Sequence, residues 1–386
     1  MADEPTGLWL VGARGSVATT AVSGLLALRA GLAPSTGCVT ERPEFTEVDL
    51  PSWSNLFVGG HDIVRTPLDK RAEMLVRGGV LPHHLLGPIT AGLRAVDQEI
   101  RDGYDPASHQ GSQAAAARRL GADIEEFQDR HRLARVVVVN VSSTEKPIEP
   151  APEHGDLAAL ESVLMEPDRR VLPPSSLAAY AALNAGCSFV DFTPSTGITV
   201  PALEILARQE GLPYAGRDGK TGETLVRTVL APMFTARALQ VRSWAGTNLL
   251  GGGDGATLED PEHADSKLRS KAHGLATLLG GEVTAPLHID NVPDLGEVKT
   301  AWDHVSFEGF LGARMSLQFT WTGLDSALAA PLVLDLARLV ATAHACGESG
   351  PLGSLAFFFK DPLGSDEHRF ADQTRELYRW AQGLRR

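Results

Sequence analysis

The opening of the chain constrains its fold more than any other segment. Gly7-Leu8-Trp9-Leu10-Val11 is a short apolar run that reads as a buried strand, and it leads straight into Gly12-Ala13-Arg14-Gly15-Ser16-Val17-Ala18. From Thr19 to Leu32 the apolar residues Val22, Leu25, Leu26 and Leu28 recur at helical spacing. Strand, glycine turn and helix in that order open a dinucleotide-binding βαβ unit. Gly12 lets the chain turn sharply, Gly15 lets backbone approach a pyrophosphate at the helix N-terminus, and Ala18 permits close helix–sheet packing. Ala13, Arg14, Ser16 and Val17 complete the turn as candidate cofactor contacts. The form is GxxGxxA rather than GxGxxG, so its position after the first strand carries much of the argument. The acidic residue expected about 20 residues further on is not distinct. Glu41 and Glu44 are candidates, beside their plain reading as loop charges, and the motif leaves NAD against NADP open.

Further along, Ala134 to Val141 is nearly all β-branched and reads as a fully buried parallel strand. Its end carries Asn140, Ser142, Ser143, Thr144 and Glu145. Ligands of open α/β sheets bind beyond the carboxyl ends of strands, so this polar cluster is well placed. Ser188 to Phe192, which contains Asp191, reads as another short strand closed by Pro194. Helices are expected over Ser175 to Asn184, in part of Asp97 to Arg132, over the apolar run Ala327 to His344, and in the charged tail from Asp366. From about Leu203 the pattern changes. Ala238 to Trp244 and Arg314 to Trp321 alternate apolar and polar residues, as in an antiparallel sheet with one exposed face. The polar stretch around Pro43, Pro51 and Trp53 carries no clear pattern.

A chain of 386 residues is too long for one simple core and suits two interleaved domains. Its formal charge of -13 argues against a nucleic-acid partner, so a phosphate site must be a local basic pocket. Cys38, Cys187 and Cys346 are far apart and odd in number, which points to small buried hydrophobes rather than disulfides or a metal pair. The polar start shows no signal peptide, and no run of about 18 apolar residues marks a membrane span. A reducing cytoplasm is the default. No HExxH and no GxSxG is present, so neither a metal site nor a serine nucleophile is expected.

Lysine is scarce here beside arginine, and it falls in distinctive settings. Lys220 sits in Gly216-Arg217-Asp218-Gly219-Lys220-Thr221-Gly222. Lys267 and Lys271 are four apart, which on a helix puts both amines on one face; a solvated face is the plain reading. Lys299 lies in Gly296-Glu297-Val298-Lys299, and Lys360 follows the apolar run Leu355 to Phe359. Burial behind that run would lower the Lys360 pKa and suit it to proton transfer, which arginine cannot perform. Gly251-Gly252-Gly253-Asp254-Gly255, close to Asn248, is either a plain turn or a second cradle of backbone amides.

Taken together, NAGCSFVDFTPS, GRDGKTGETLVRTVLAPMF, VRSWAGTNLLGGGDG, LEDPEHADSKLRSK, VPDLGEVKTAWDHV, DSALAAPLVLDL and FFFKDPLG resemble the myo-inositol-1-phosphate synthases, through most of the chain and most strongly from Asn184 to Leu363. The shorter bacterial and archaeal branch is the more similar one. The resemblance implies an α/β protein: a Rossmann-type NAD-binding domain (1–202 and 327–386) interrupted by an α+β catalytic and oligomerisation domain (203–326) with an open, largely antiparallel sheet. It implies NAD as cofactor, a sugar phosphate substrate and a homotetramer. Family catalytic lysines map onto Lys267, Lys271, Lys299 and Lys360. Pocket residues map onto Asp218, Lys220, Asn248, Asp254 and Asp325, with Thr221 beside them, and the cofactor segments onto Gly12 to Ala18 and the Asn140 strand end with Asp191. Gly252 and Gly253 stand where many members carry two amide or polar residues. That departure keeps a second substrate open: fructose 6-phosphate closing to a five-membered cyclitol phosphate, rather than glucose 6-phosphate closing to inositol phosphate.

Overall fold

The computed structural model describes residues 4–167, 169–251, 275–281 and 283–384. Seven strands form the first sheet: β1 (Thr6–Val11), β2 (Leu56–Asp62), β3 (Ile100–Asp102), β4 (Arg135–Asn140), β5 (Ser188–Asp191), β6 (Pro213–Gly216) and, near the end of the chain, β11 (Gly350–Pro351). They lie in the order β11-β6-β5-β4-β1-β2-β3, and every pairing is parallel. Alternation along these strands feeds two apolar layers. Leu8, Leu10, Val137 and Val139 pack on one face, and Trp9, Val136 and Val138 on the other. Burial on both faces explains why β4 is a continuous valine run. The strand order reverses between β1 and β4, and such a switch point opens a crevice at the carboxyl ends of the strands.

Helix α1 (Ser16–Arg29) starts directly at the glycine turn, three residues before the periodicity indicated. Other helices flanking this sheet include α2 (Leu68–Arg77), α3 (His83–Asp97), α4 (Gln113–His131), α5 (Leu157–Leu164), α6 (Pro174–Asn184) and α7 (Pro201–Gln209). The unpatterned stretch before β2 is folded as short 3-10 turns, including Val39–Glu41 and Trp53–Asn55. It is held by the chain's distant end. The Asp335 carboxylate accepts from the Val39 and Thr40 amides at 2.6 and 3.2 Å, and the Arg338 guanidinium donates to the Pro51 carbonyl at 2.8 Å and stacks 4.0 Å from the Trp53 ring.

After α8 (Gly222–Ala236) the chain builds a second sheet from β7 (Gln240–Leu250), β8 (Leu287–Asn291), β9 (Val298–Glu308) and β10 (Arg314–Leu324), in the order β10-β9-β7-β8. Two of its pairings are antiparallel, but β7 and β8 run parallel, so the sheet is mixed. Helix α8 covers one face through Phe234, packed with Trp244 and Val305. Beneath it the buried Arg227 binds both Asp303 and Glu223. On the other face Ser316, Gln318, Thr320 and Thr322 are exposed. Because β6 belongs to the first sheet, the chain changes sheets after Gly216, later than residue 203. It returns through α9 (Asp325–Ala345), which begins where β10 ends, and finishes in α10 (Phe370–Gly383). Among the described residues α9 alone is long and apolar enough to cross a membrane, yet 78% of its most apolar stretch is buried inside the protein, as expected of a core helix.

Candidate active site

A cleft of about 640 Å³ opens at the carboxyl ends of β1 and β4, with Gly12, Ser16, Asp62, Thr144, Lys299 and Asp325 among its walls. Gly12 is required there twice over. Its φ is +84°, and a Cβ on it would lie 2.7 Å from the Ser142 Cα. Gly15 is the N-cap of α1; no side chain caps that helix and no acidic residue sits in its first turn. Gly15, Ser16 and Val17 line the cleft, so the amide end of α1 is available to an anion. Ala13 departs from the expected set: it is buried in the core and packs against Gly60. Arg14 holds the turn in place, its Nε donating to Asp97 at 2.9 Å and one terminal nitrogen to the Val64 carbonyl at 2.9 Å.

Asp62, the last residue of β2, stands at the strand end where the acidic residue of such a motif is expected, and sequence spacing did not single it out. Its carboxylate accepts from the Arg14 and Val64 amides at 2.6 and 2.7 Å and faces the cleft. The earlier candidates are engaged elsewhere, Glu41 with Arg338 and Glu44 with Arg42. The 3-10 excursion before β2 pushes the acid far beyond its usual spacing; its place as last residue of the run Leu56 to Asp62 was the available signal.

Ser142, Ser143 and Thr144 line the cleft, whereas Asn140 and Asp191 lie fully buried beneath it. Glu145, the last of that polar cluster, accepts from the Ser175 amide at 2.8 Å and hydroxyl at 2.5 Å; burial holds its carboxyl above the usual range.

The Lys299 Nζ lies 3.1 Å from Asp325 Oδ2, and both line the same cleft as the glycine turn. The N-terminus of α8 abuts this pair. Thr221 is its N-cap, and a Cβ on Gly222 would lie 3.1 Å from Trp321 Nε1 and 3.5 Å from Asp325 Oδ1. Among the described residues the buried Trp321 Nε1 has no acceptor, and the Oδ1 of the buried Asn248 has no donor. Gly251 is held by close packing, since a Cβ there would lie 2.5 Å from the Gly296 carbonyl oxygen. Glu297 and Ser326, which the sequence reading did not single out, also line the cleft.

Lys360 pairs with Asp218 at 2.8 Å, both side chains at most 9% exposed. A short ladder fixes them: Lys360 N donates to the Asp218 carbonyl at 2.7 Å, and Asp218 N to the Thr193 carbonyl at 3.1 Å. Lys220 turns elsewhere. Its amine binds the Gln373 side chain on α10 and lies 3.5 Å from the Ala356 carbonyl and 5.8 Å from the Phe370 ring; like Lys360 and Asp218, it does not line the cleft. The left-handed backbone at Asp218, φ +59°, breaks the alternation that would have put residues 218 and 220 on one side. Burial pushes the Lys220 pKa down to about 7. Lys267, Lys271, Asp254, Gly252 and Gly253 lie outside the described residues. Among the described residues no group of three or more His, Cys, Asp or Glu is placed to hold a metal ion.

Comparison with known proteins gives the family. An NAD-binding family model described as myo-inositol-1-phosphate synthase matches residues 6–382. Inositol-3-phosphate synthase 1 of Bacteroides thetaiotaomicron is 34% identical over 397 residues, covering 94% of this chain and 90% of that protein. In fold, the chain is similar to the crystal structure of inositol-3-phosphate synthase from Caenorhabditis elegans (TM-score 0.88, 21% identity, 99% of this chain and 86% of that one). It is also similar to a myo-inositol-1-phosphate synthase-related protein from Thermotoga maritima (TM-score 0.78, 22% identity, 97% and 98%). With a family match along nearly its whole length, and a glycine turn and a lysine–carboxylate pair lining one cleft, the chain belongs to the myo-inositol-1-phosphate synthase family.

Proposed function

We propose that this protein closes glucose 6-phosphate to an inositol phosphate with NAD as a cofactor that is not consumed. The observation that carries the reading is the Lys299–Asp325 pair in the same cleft as the Gly12–Val17 turn. The residues present fit the cofactor: the uncapped N-terminus of α1 suits its pyrophosphate, and Asp62 suits a ribose hydroxyl. When bound, NAD supplies a hydride acceptor for the sugar's C5 and the hydride that returns to it.

The chain's own groups supply proton transfer and charge. Removal of the C5 hydroxyl proton and then a C6 proton needs a base, and closure onto C1 needs a cation or donor beside the new oxyanion. Lys360 and Lys267 are assigned to those tasks. Lys299 and Lys271 are assigned to phosphate and oxyanion contacts, with Asp218, Asp254 and Asp325 orienting amines or hydroxyls. The phosphate is assigned to the N-terminus of α8 around Thr221, where the unpartnered Trp321 Nε1 offers a further donor. In the same reading the stretch after Gly216 up to Leu324 is the catalytic and oligomerisation part. The exposed face of its sheet serves a homotetramer, and the enzyme works in the cytoplasm.

The test is a product assay by phosphorus and carbon NMR of purified protein with NAD, given glucose 6-phosphate or fructose 6-phosphate. Inositol phosphate from the aldose supports the reading. A five-membered cyclitol phosphate from the ketose alone overturns the substrate assignment.

A further inference from the structure

Asp191 ends β5 between two other strand ends, opposite Asn140 of β4 and Gly216 of β6. It is fully buried. Its Oδ1 accepts from Asn140 Nδ2 at 3.0 Å and from the Thr193 hydroxyl at 3.2 Å, while the buried Oδ2 has no hydrogen-bond partner among the described residues. Two chains of contacts leave this carboxyl. On one side the Asn140 side-chain oxygen accepts from the Ser142 amide at 3.2 Å and hydroxyl at 2.7 Å, and Ser142 is the residue packed behind Gly12. On the other side the Thr193 carbonyl accepts from the Asp218 amide, and Asp218 holds the Lys360 amine. Asp191 is therefore the shared anchor of the cofactor turn and the Lys360–Asp218 pair, although it does not line the cleft.

We infer that Asp191 is a positioning residue that sets the cofactor turn and the Lys360 amine relative to one another, acting through Asn140 and Thr193 rather than by touching a ligand. Burial pushes the Asp191 carboxyl up to about 7, the nearby Glu145 adds to this, and Asn140, Thr193 and Arg217 oppose it. An uncharged side chain of the same shape is thus compatible with the site. Gly197 packs against the far side: a Cβ there would overlap Asp191 Oδ2, so glycine at 197 is what leaves room for the carboxyl.

The inference rests on the proposed use of NAD and Lys360, but its test needs no turnover. NAD affinity is measured by calorimetry, and the titration of the Lys360 amine by amine-selective labelling across pH, in the parent, D191N, D191A and N140A. Loss of a buried hydrogen-bonding anchor predicts that D191A weakens NAD binding about ten-fold and shifts the pH at which Lys360 labels. D191N should restore both, to within about three-fold for affinity, and N140A should weaken NAD binding while leaving Lys360 labelling unchanged. Unaltered affinity and labelling in D191A overturn the inference, as does failure of folded D191N to rescue, which would make the carboxylate itself a ligand contact. If none of the variants binds NAD and neither does the parent, the cofactor assignment fails instead, and Lys360 labelling in D191A alone decides the positioning role.

Discussion

Lys360 and Lys220 flank the same short backbone ladder, and both keep their side chains largely out of solvent, yet they have opposite surroundings. Lys360 faces the Asp218 carboxylate at 2.8 Å. Lys220 faces an amide, a carbonyl and an aromatic ring, none of which compensates its charge fully, so burial pulls its pKa to about 7. The same side chain is a candidate proton carrier in one place and a tie to the C-terminal helix in the other. Burial of a lysine therefore says little until its partner is known.

Substitutions separate the two. K360A removes the amine and leaves Asp218 buried without its cation. Turnover should fall by ~10³-fold or more, and the fold should lose about 3 kcal/mol yet remain assembled, as checked by product assay and urea unfolding. Near-normal turnover would remove Lys360 from the chemistry. Breaking the Lys299–Asp325 pair with K299M should cost roughly 10²-fold in kcat/KM, measured with saturating NAD. D62A should weaken NAD binding about ten-fold and narrow the preference over NADP, as titration with both dinucleotides would show.

The Lys220 arm gives the smallest effect on rate, and K220M should retain turnover within about ten-fold. Its signature is in stability against pH. The folded pKa of about 7 lies below the unfolded value near 10.4. Between those values the unfolded chain binds the extra proton, so stability from this group rises with pH through that window, at most about 1.4 kcal/mol per pH unit. K220M should lose that rise. Asp191 and Asp335, whose carboxyls burial pushes up to about 7, act in the opposite sense in both proteins. The difference curve between variant and parent is the readout; identical slopes would contradict the account of Lys220.

What the sequence could reveal follows the same contrast between local pattern and distant partner. The Leu8–Val11 strand, the Gly12 turn and the valine strand ending at Asn140 declare themselves, because burial on both faces and positive φ leave marks at fixed local spacing. The alternating β10 and the apolar α9 are legible for the same reason. Asp62 is hidden because an excursion whose fold depends on Asp335 and Arg338, almost 300 residues away, lengthens the usual spacing. The short β6 carries too few residues to show a period, so the change of sheet was expected too early. The direction of Lys220 is set by the backbone at Asp218 and by a glutamine on the last helix, and neither is visible in a motif. The parallel β7–β8 edge depends on a connection through residues outside the description.

The central claim is that one cleft closes a sugar phosphate without net oxidation. Glucose 6-phosphate carrying deuterium at C5 tests it most directly, with the product examined by NMR and mass spectrometry. The account predicts that the deuterium is retained at the corresponding carbon of the inositol phosphate while no reduced cofactor accumulates. Deuterium found in released reduced cofactor, in step with an open-chain or uncyclised keto sugar, would contradict it and make the protein a simple dehydrogenase.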